Sequence, residues 1–318
     1  MIKQSILQHK VGFKETKRNL KIQRNKDFEI ARTEAQIIKL VHAVEKGLSL
    51  KAPRTCFAIK KISTLFELAG AYISMGAKDN FCLYMVCDVI AAYLDFHKEI
   101  NVANQDLDEI QNKCNQLKEK ISYENGNYGG FSILNKNDFD FSAETVENLF
   151  TTRHSIRDFS GEAVDEKDLE KAIRLAQSCP SACNRQCSRV YSIKTEKFLK
   201  DLGTDLDGIG GFANEADGFV LVTGKQSAYG INERNQYIVS ASIFAGYLSL
   251  ALHAYGIASC VVQQMLLNTK QWQDFKKINS IPDDEQIVVM FAIGKYKEQT
   301  KVPISKRFPL TKIFRTLD

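Results

Sequence analysis

The sequence predicts a mixed fold of helices and strands arranged in two units. Three observations carry this. Residues 27 to about 123 hold four apolar patterns of helical period and no strand-like run. A Gly- and Asn-rich stretch, Asn125-Gly126-Asn127-Tyr128-Gly129-Gly130, then interrupts both periodicities. After it, short β-rich runs alternate with helical patterns to the end of the chain. A length of 318 residues suits two domains. The boundaries read from these signals are a basic N-terminal arm over 1–26, a helical domain over 27–124, a linker over 125–140 and a second domain over 141–318.

In the arm, Lys3, Lys10, Lys14, Lys17, Arg18, Lys21, Arg24 and Lys26 stand against Glu15 alone. That is +7 of a chain total of +5, so the remainder is near neutral at −2. Such an arm is either solvated or able to touch an anionic surface. No nucleic-acid partner is expected.

In the helical domain, Asp27 to Lys46 places Ile30, Ala35, Ile38 and Val41 on one face, with Gly47 as a natural C-cap. His42 and Glu45 read as a surface pair on that helix. Lys61 to Met75 follows, closed by Gly76. Phe81 to Ile100 is apolar on most faces and so central, and Leu107 to Ile121 is a charge-laced helix. In the second domain Ser142 opens a helix, and Asp165 to Ser178 is another with Asp165 as N-cap. Strands are expected over Arg189–Lys194, Gly218–Thr223, Ala258–Val262 and Ile287–Ile293. Glu233 to Tyr255 is a long helix with small residues Ser240, Ala241, Ser242, Ala245 and Gly246.

No unbroken run of about 18 apolar residues appears. The nearest, Tyr237 to Val262, carries Ser240, Ser242, His253 and Ser259, is punctuated by Gly246 and Gly256, and reads as a buried helix followed by a strand. The N-terminus lacks a secretory apolar core. The eight cysteines in a chain of this length read as free thiols of a reducing, cytoplasmic setting. Cys179, Cys183 and Cys187 recur every four residues, which is not a standard cluster spacing, so no metal is expected.

Three stretches carry the chemistry. Thr152-Arg153-His154-Ser155-Ile156-Arg157-Asp158 packs two guanidinium forks, an imidazole and a hydroxyl into five residues. On a helix, Arg153 and Arg157 would share a face and suit a phosphate. The second stretch is Pro180-Ser181-Ala182-Cys183-Asn184-Arg185-Gln186, just past a helix. The third is Val302-Pro303-Ile304-Ser305-Lys306-Arg307-Phe308-Pro309.

In that order and spacing they resemble the nitroreductase superfamily of FMN-dependent NAD(P)H oxidoreductases, over roughly residues 145 to 318, with an additional N-terminal helical domain. The resemblance implies an α+β fold, a mostly antiparallel sheet flanked by helices, assembled as a homodimer with shared FMN sites. It implies Arg153 and Arg307 as phosphate ligands, with Ser155 and Lys306 assisting. His154 would lie near the ribityl chain, and Arg157 near the ring edge. Pro180, Ser181 and Asn184 would reach the flavin from the partner subunit. Val261, Val262 and Gln263 would lie against the ring, the alternative being an ordinary buried strand. The family's usual Pro-Trp after Gln186 is absent, Cys187-Ser188 standing there instead.

The implied activity is a ping-pong cycle in which NAD(P)H reduces the flavin and a small acceptor, nitroaromatic or quinone-like in vitro, reoxidises it. No catalytic side chain beyond the flavin itself is implied. Alternatives are reductive dehalogenation or flavin fragmentation on the same fold, with the Gly203 to Glu215 loop as the place for a substrate cap, or a non-catalytic redox-sensing interaction protein. No Rossmann fingerprint, P-loop or Ser–His–Asp order appears.

Overall fold

The computed structural model describes residues 16–124, 126–135, 141–203, 208–262 and 270–317. The chain is helical through residues 16–24 (α1). A short 3₁₀ turn, Lys26–Phe28, leads into α2 (Glu29–Leu48), followed by α3 (Ile59–Ser74), α4 (Phe81–Glu99) and α5 (Gln105–Lys120). Val41, Val44, Leu65, Val86, Ile90 and Tyr93 are fully buried between these helices. The largely apolar α4 is covered by its neighbours, as its weak polar face requires.

Two local details differ from the sequence reading. Gly47 lies inside α2 rather than beyond it, and a Cβ there would stand 2.0 Å from the Phe57 ring. The glycine is needed for ring packing, not for a cap. Gly76 does end α3, with φ at +73°. The Gly-rich stretch after α5 is packed onto α4 over its described residues. Tyr128 N donates to Asp88 Oδ2 at 2.7 Å, and a Cβ on Gly129 would meet the Met85 carbonyl at 2.8 Å.

The second unit opens with α6 (Ala143–Thr152) and α7 (Glu166–Ala176). Asp165 caps α7 by accepting from Lys167 N at 2.7 Å. Then come β1 (Ser188–Lys194), α8 (Thr195–Leu202), β2 (Gly218–Lys225), α9 (Gln236–Ala254), β3 (Ile257–Val262), α10 (Lys270–Ile278) and β4 (Glu285–Lys295). The strands form one antiparallel sheet in the order β1-β2-β4-β3. Alternation sorts their side chains onto two buried faces. Phe219, Leu221, Met290 and Ala292 meet α8 and α10 through Phe198, Trp272 and Phe275. Val220, Val222, Val289 and Phe291 meet α7 and α9 through Leu169, Ala172, Ala241 and Leu248. Burial on both faces explains why β2 and β4 read as unbroken apolar runs.

Among the described residues one helix, α9, is long and apolar enough to cross a membrane. It packs on the sheet through Ala241, Leu248 and Leu252, while Val239, Ile243 and Tyr247 form an exposed stripe on its other side. The two units touch through α2. Ala35 is buried with Cys187, Ala228, Tyr229 and Tyr237.

Candidate functional site

The basic stretch is not helical. α6 ends at Thr152, and Arg153 already has extended backbone angles, φ −70° and ψ 116°. From there to Ser160 the chain runs without helix along the β3 edge. Ile156 N donates to Ser259 O at 2.9 Å and Ser160 N to Lys295 O at 3.1 Å. Ile156 and Phe159 are buried and anchor the segment. An even spacing still returns Arg153 and Arg157 to the same side of an extended chain, roughly 13 Å apart along it. Both cations act on the Cys260 thiol, whose pKa burial nonetheless raises.

Phe159 seats across Gly294 of β4. A Cβ at that glycine would stand 2.6 Å from the ring. Gly294→Ala must therefore lift the ring and the segment it anchors. The expected cost is about 1–3 kcal/mol in urea unfolding, with a further loss of ligand affinity at the arginines. An alanine variant as stable as the parent would show that Phe159 does not fix this segment.

Among the described residues neither Arg153 nor Arg157 has a carboxylate within ion-pair distance, and the one bond from Arg157 is a long 3.5 Å contact to Ser155 O. The nearest acid in sequence, Asp158, is taken by Lys297. Beside them lies a group of residues that the sequence reading passed over. His253 Nδ1 meets the Tyr296 hydroxyl at 2.8 Å and its Nε2 meets Thr152 Oγ1 at 2.8 Å. Burial, then Arg153 and His154, lower the His253 pKa, so the ring is a neutral bridge that fixes the end of α6. Val261 and Val262 continue the edge strand next to this stretch, half-buried and buried. Gln263 lies outside the described residues, as do 204–207 of the loop proposed for a cap.

The Pro180 to Gln186 loop is the second part. It makes a 3₁₀ turn over Ala182–Asn184, and Cys183, Asn184 and Gln186 all have positive φ, at 55°, 54° and 45°. Three left-handed non-glycine residues in four are strain that the surroundings must hold in place. Ser181 Oγ accepts from Gln186 N at 2.9 Å, closing the turn. Arg185 is the anchor, with its side chain 3% exposed. Its guanidinium donates to both oxygens of Glu233, to Ala228 O at 3.1 Å and to Ala182 O at 3.1 Å, and it lies 4.0 Å over the Tyr229 ring. Arg185 foremost holds the Glu233 carboxyl down to about 2. A cavity of about 230 Å³, lined by Glu34, Ile38 and Phe81 among others, lies between α2 and this loop.

One chain does not bring these two parts together. The basic stretch lies by Ser259, which pairs with Ile293 of β4. The loop enters β1 beside Lys225, which pairs with Glu285 at the other end of β4. Eight residues of strand put them roughly 25 Å apart. Lys306 and Arg307 sit in an exposed tail, where no hydrogen bond or ion pair among the described residues ties them to the basic stretch.

Comparison with known proteins bears on the same region. The model of the nitroreductase family matches residues 150–223 and 206–295. An iodotyrosine deiodinase of Hydra vulgaris is 23% identical over 265 residues, covering 69% of this chain and 93% of that protein. Among solved structures, an FMN-dependent nitroreductase of Clostridium difficile R20291 aligns with a TM-score of 0.45 at 20% identity, over 54% of this chain and 99% of its own. A Bacteroides fragilis nitroreductase with bound FMN aligns at 0.45 and 16%, over 55% and 100%. The antiparallel sheet, its flanking helices and the family match coincide over one stretch of sequence, and the chain, from residue 150 to residue 295, belongs to the nitroreductase family.

Proposed function

We propose that this chain is an FMN-dependent oxidoreductase that works as a homodimer. The observation that carries the reading is the pair of guanidiniums, Arg153 and Arg157, without a carboxylate partner among the described residues and held along the β3 edge within the family match. A phosphate-bearing ring cofactor fits this donor set, because the cations lack carboxylates and the adjoining Val261 and Val262 give an apolar strand. Arg153, Ser155, Lys306 and Arg307 would hold the phosphate. His154 would meet the ribityl chain, Arg157 the ring edge, and Val261 to Gln263 the ring itself. When bound, FMN supplies hydride chemistry, accepting from NAD(P)H and passing two electrons to a small acceptor in a ping-pong cycle.

The separation of the two parts along the sheet supports the dimer reading. A second copy can bring its own Pro180, Ser181 and Asn184 to the first copy's arginines. The exposed Val239, Ile243 and Tyr247 of α9 and the exposed Ile304, Phe308 and Phe314 of the tail supply apolar surface for that contact. Three measurements test the reading on purified full-length protein: its flavin absorbance, its mass in solution, and its NADH or NADPH oxidation with a quinone. A colourless protein that takes up no FMN, or a flavin-loaded monomer, would overturn it. Flavin-loaded protein inert with every acceptor would favour a redox sensor.

Reductive dehalogenation is the second reading, favoured by the likeness to a protein named iodotyrosine deiodinase along nearly all of that protein's length. Release of iodide from an iodinated phenol in preference to quinone reduction would select it.

A further inference from the structure

We propose that the cleft between α1, the Lys26–Phe28 turn and α10 binds a small phosphorylated ligand, independently of the flavin reading. The cleft holds about 320 Å³, at the lower end of the range of about 300–1,000 Å³ typical of small-molecule sites. Arg18, Lys21, Lys276 and Lys277 line it against one carboxylate, that of Asp283. Two of these cations belong to the basic arm, so part of that charge is gathered at a packed surface rather than spread through solvent.

Lys276 is the decisive residue. It is 7% exposed, yet its ammonium has three donors and, among the described residues, makes one hydrogen bond, to Asp283 O at 3.4 Å. Among the described residues no carboxylate oxygen is within ion-pair distance of it. Asp283 attracts Lys276 without an ion contact, and the two other neighbouring acids are committed elsewhere. Asp284 accepts from Ser227, and Glu285 from Thr223 Oγ1 at 2.5 Å and Tyr191 at 2.9 Å. Arg18 is held beside Lys276 by bonds to Gln286 Oε1 and to Asp283 O at 3.3 Å, which adds a second positive charge. Burial first, then Arg18, push the Lys276 pKa down to about 8. A buried cation with no carboxylate in ion contact is costly. A phosphate group supplies both the missing charge and several acceptors.

Depth selects a small ligand over a polymer. A terminal phosphate can reach an ammonium buried this far, whereas the diester backbone of a nucleic acid would meet only the exposed Lys21 and Lys277. Half-buried Phe28 offers an apolar wall to an organic group attached to the phosphate. The cleft precedes β4 at Asp283, so it lies at the opposite end of that strand from Arg153 and Arg157.

The test is calorimetric titration of the full chain with pyrophosphate, inorganic phosphate and a nucleoside monophosphate, in low salt. Lys276→Met and the double variant Lys21→Ala/Lys277→Ala should each weaken pyrophosphate binding about tenfold or more. The double variant changes only exposed side chains, so folding does not obscure the result. Arg153→Ala/Arg307→Ala should retain this binding. Unchanged affinity in both lysine variants, or complete loss in the arginine variant, would overturn the proposal. Tighter binding of the nucleoside monophosphate than of inorganic phosphate assigns a phosphorylated organic ligand, and equal binding assigns phosphate itself.

Discussion

Arg153→Ala and Arg307→Ala are each expected to raise the FMN dissociation constant by roughly ten- to a hundredfold. A hydrogen bond to a charged group contributes about 1.5–3 kcal/mol, and a phosphate clamp uses each guanidinium in this way. Neither side chain has an ion-pair partner in the described protein, so removing it leaves no buried charge behind. Thermal stability of the flavin-free protein should therefore hold while affinity falls. Arg153→Ala has a second readout. Arg153 is among the causes that lower the His253 pKa, so that pKa should move upward in the variant. Fluorescence titration with FMN gives the first quantity and histidine NMR the second. A titration curve unaltered in both variants would remove them from the phosphate site.

Glu233→Ala is expected to cost about 2–3 kcal/mol of folding stability. Removing one partner of a buried pair usually costs about 3–5 kcal/mol, because the other charge stays behind. Arg185 is that other charge, and two carbonyls and a tyrosine face cannot neutralise it. The lower figure reflects Glu233 itself, whose side chain is 32% exposed, so water can partly take its place. The pH dependence has a definite sign. The carboxyl is held at about 2 in the folded protein against an ordinary 4.5. Its contribution is complete above about pH 4.5 and is lost as the pH falls towards 2. Urea unfolding at pH 7 and pH 3 should show a parent that weakens over this interval and a variant that is flatter. Equal midpoints at pH 7 would mean that the pair does not hold the loop.

Much of the architecture is legible because it rests on local patterns. The four central helices of the first unit announce themselves by periodicity, and Asp165 by its place before an apolar face. All four β-rich runs fall within the strands, which extend one to four residues beyond them, and β2 and β4 are the most legible because both their faces are buried. α8 and α10 escape notice for the opposite reason. They have eight and nine residues, are mostly polar, and place only Phe198 and Leu202, or Trp272 and Phe275, in the core. The basic stretch could be recognised by composition, but not its shape. Its spacing fits a helix and an extended chain alike, and the bond from Ile156 to Ser259 decides between them. Arg185 looks like an ordinary loop cation, since its partner lies 48 residues away. The positive φ values at Cys183 and Gln186 have no signature in residue type, whereas Asn184 tolerates that region.

The two ends of β4 carry a last consequence. If each site in the proposed dimer joins the arginines of one copy to the Ser181 loop of the other, competence becomes a property of encounter, and dilution alone can switch it off. Damage is then shared unequally. A copy spoiled at its arginines and a copy spoiled at its loop are each useless with their own kind, yet a mixed pair still assembles one whole site from the two sound halves. In a cell carrying both defects, the lesions would partly conceal each other.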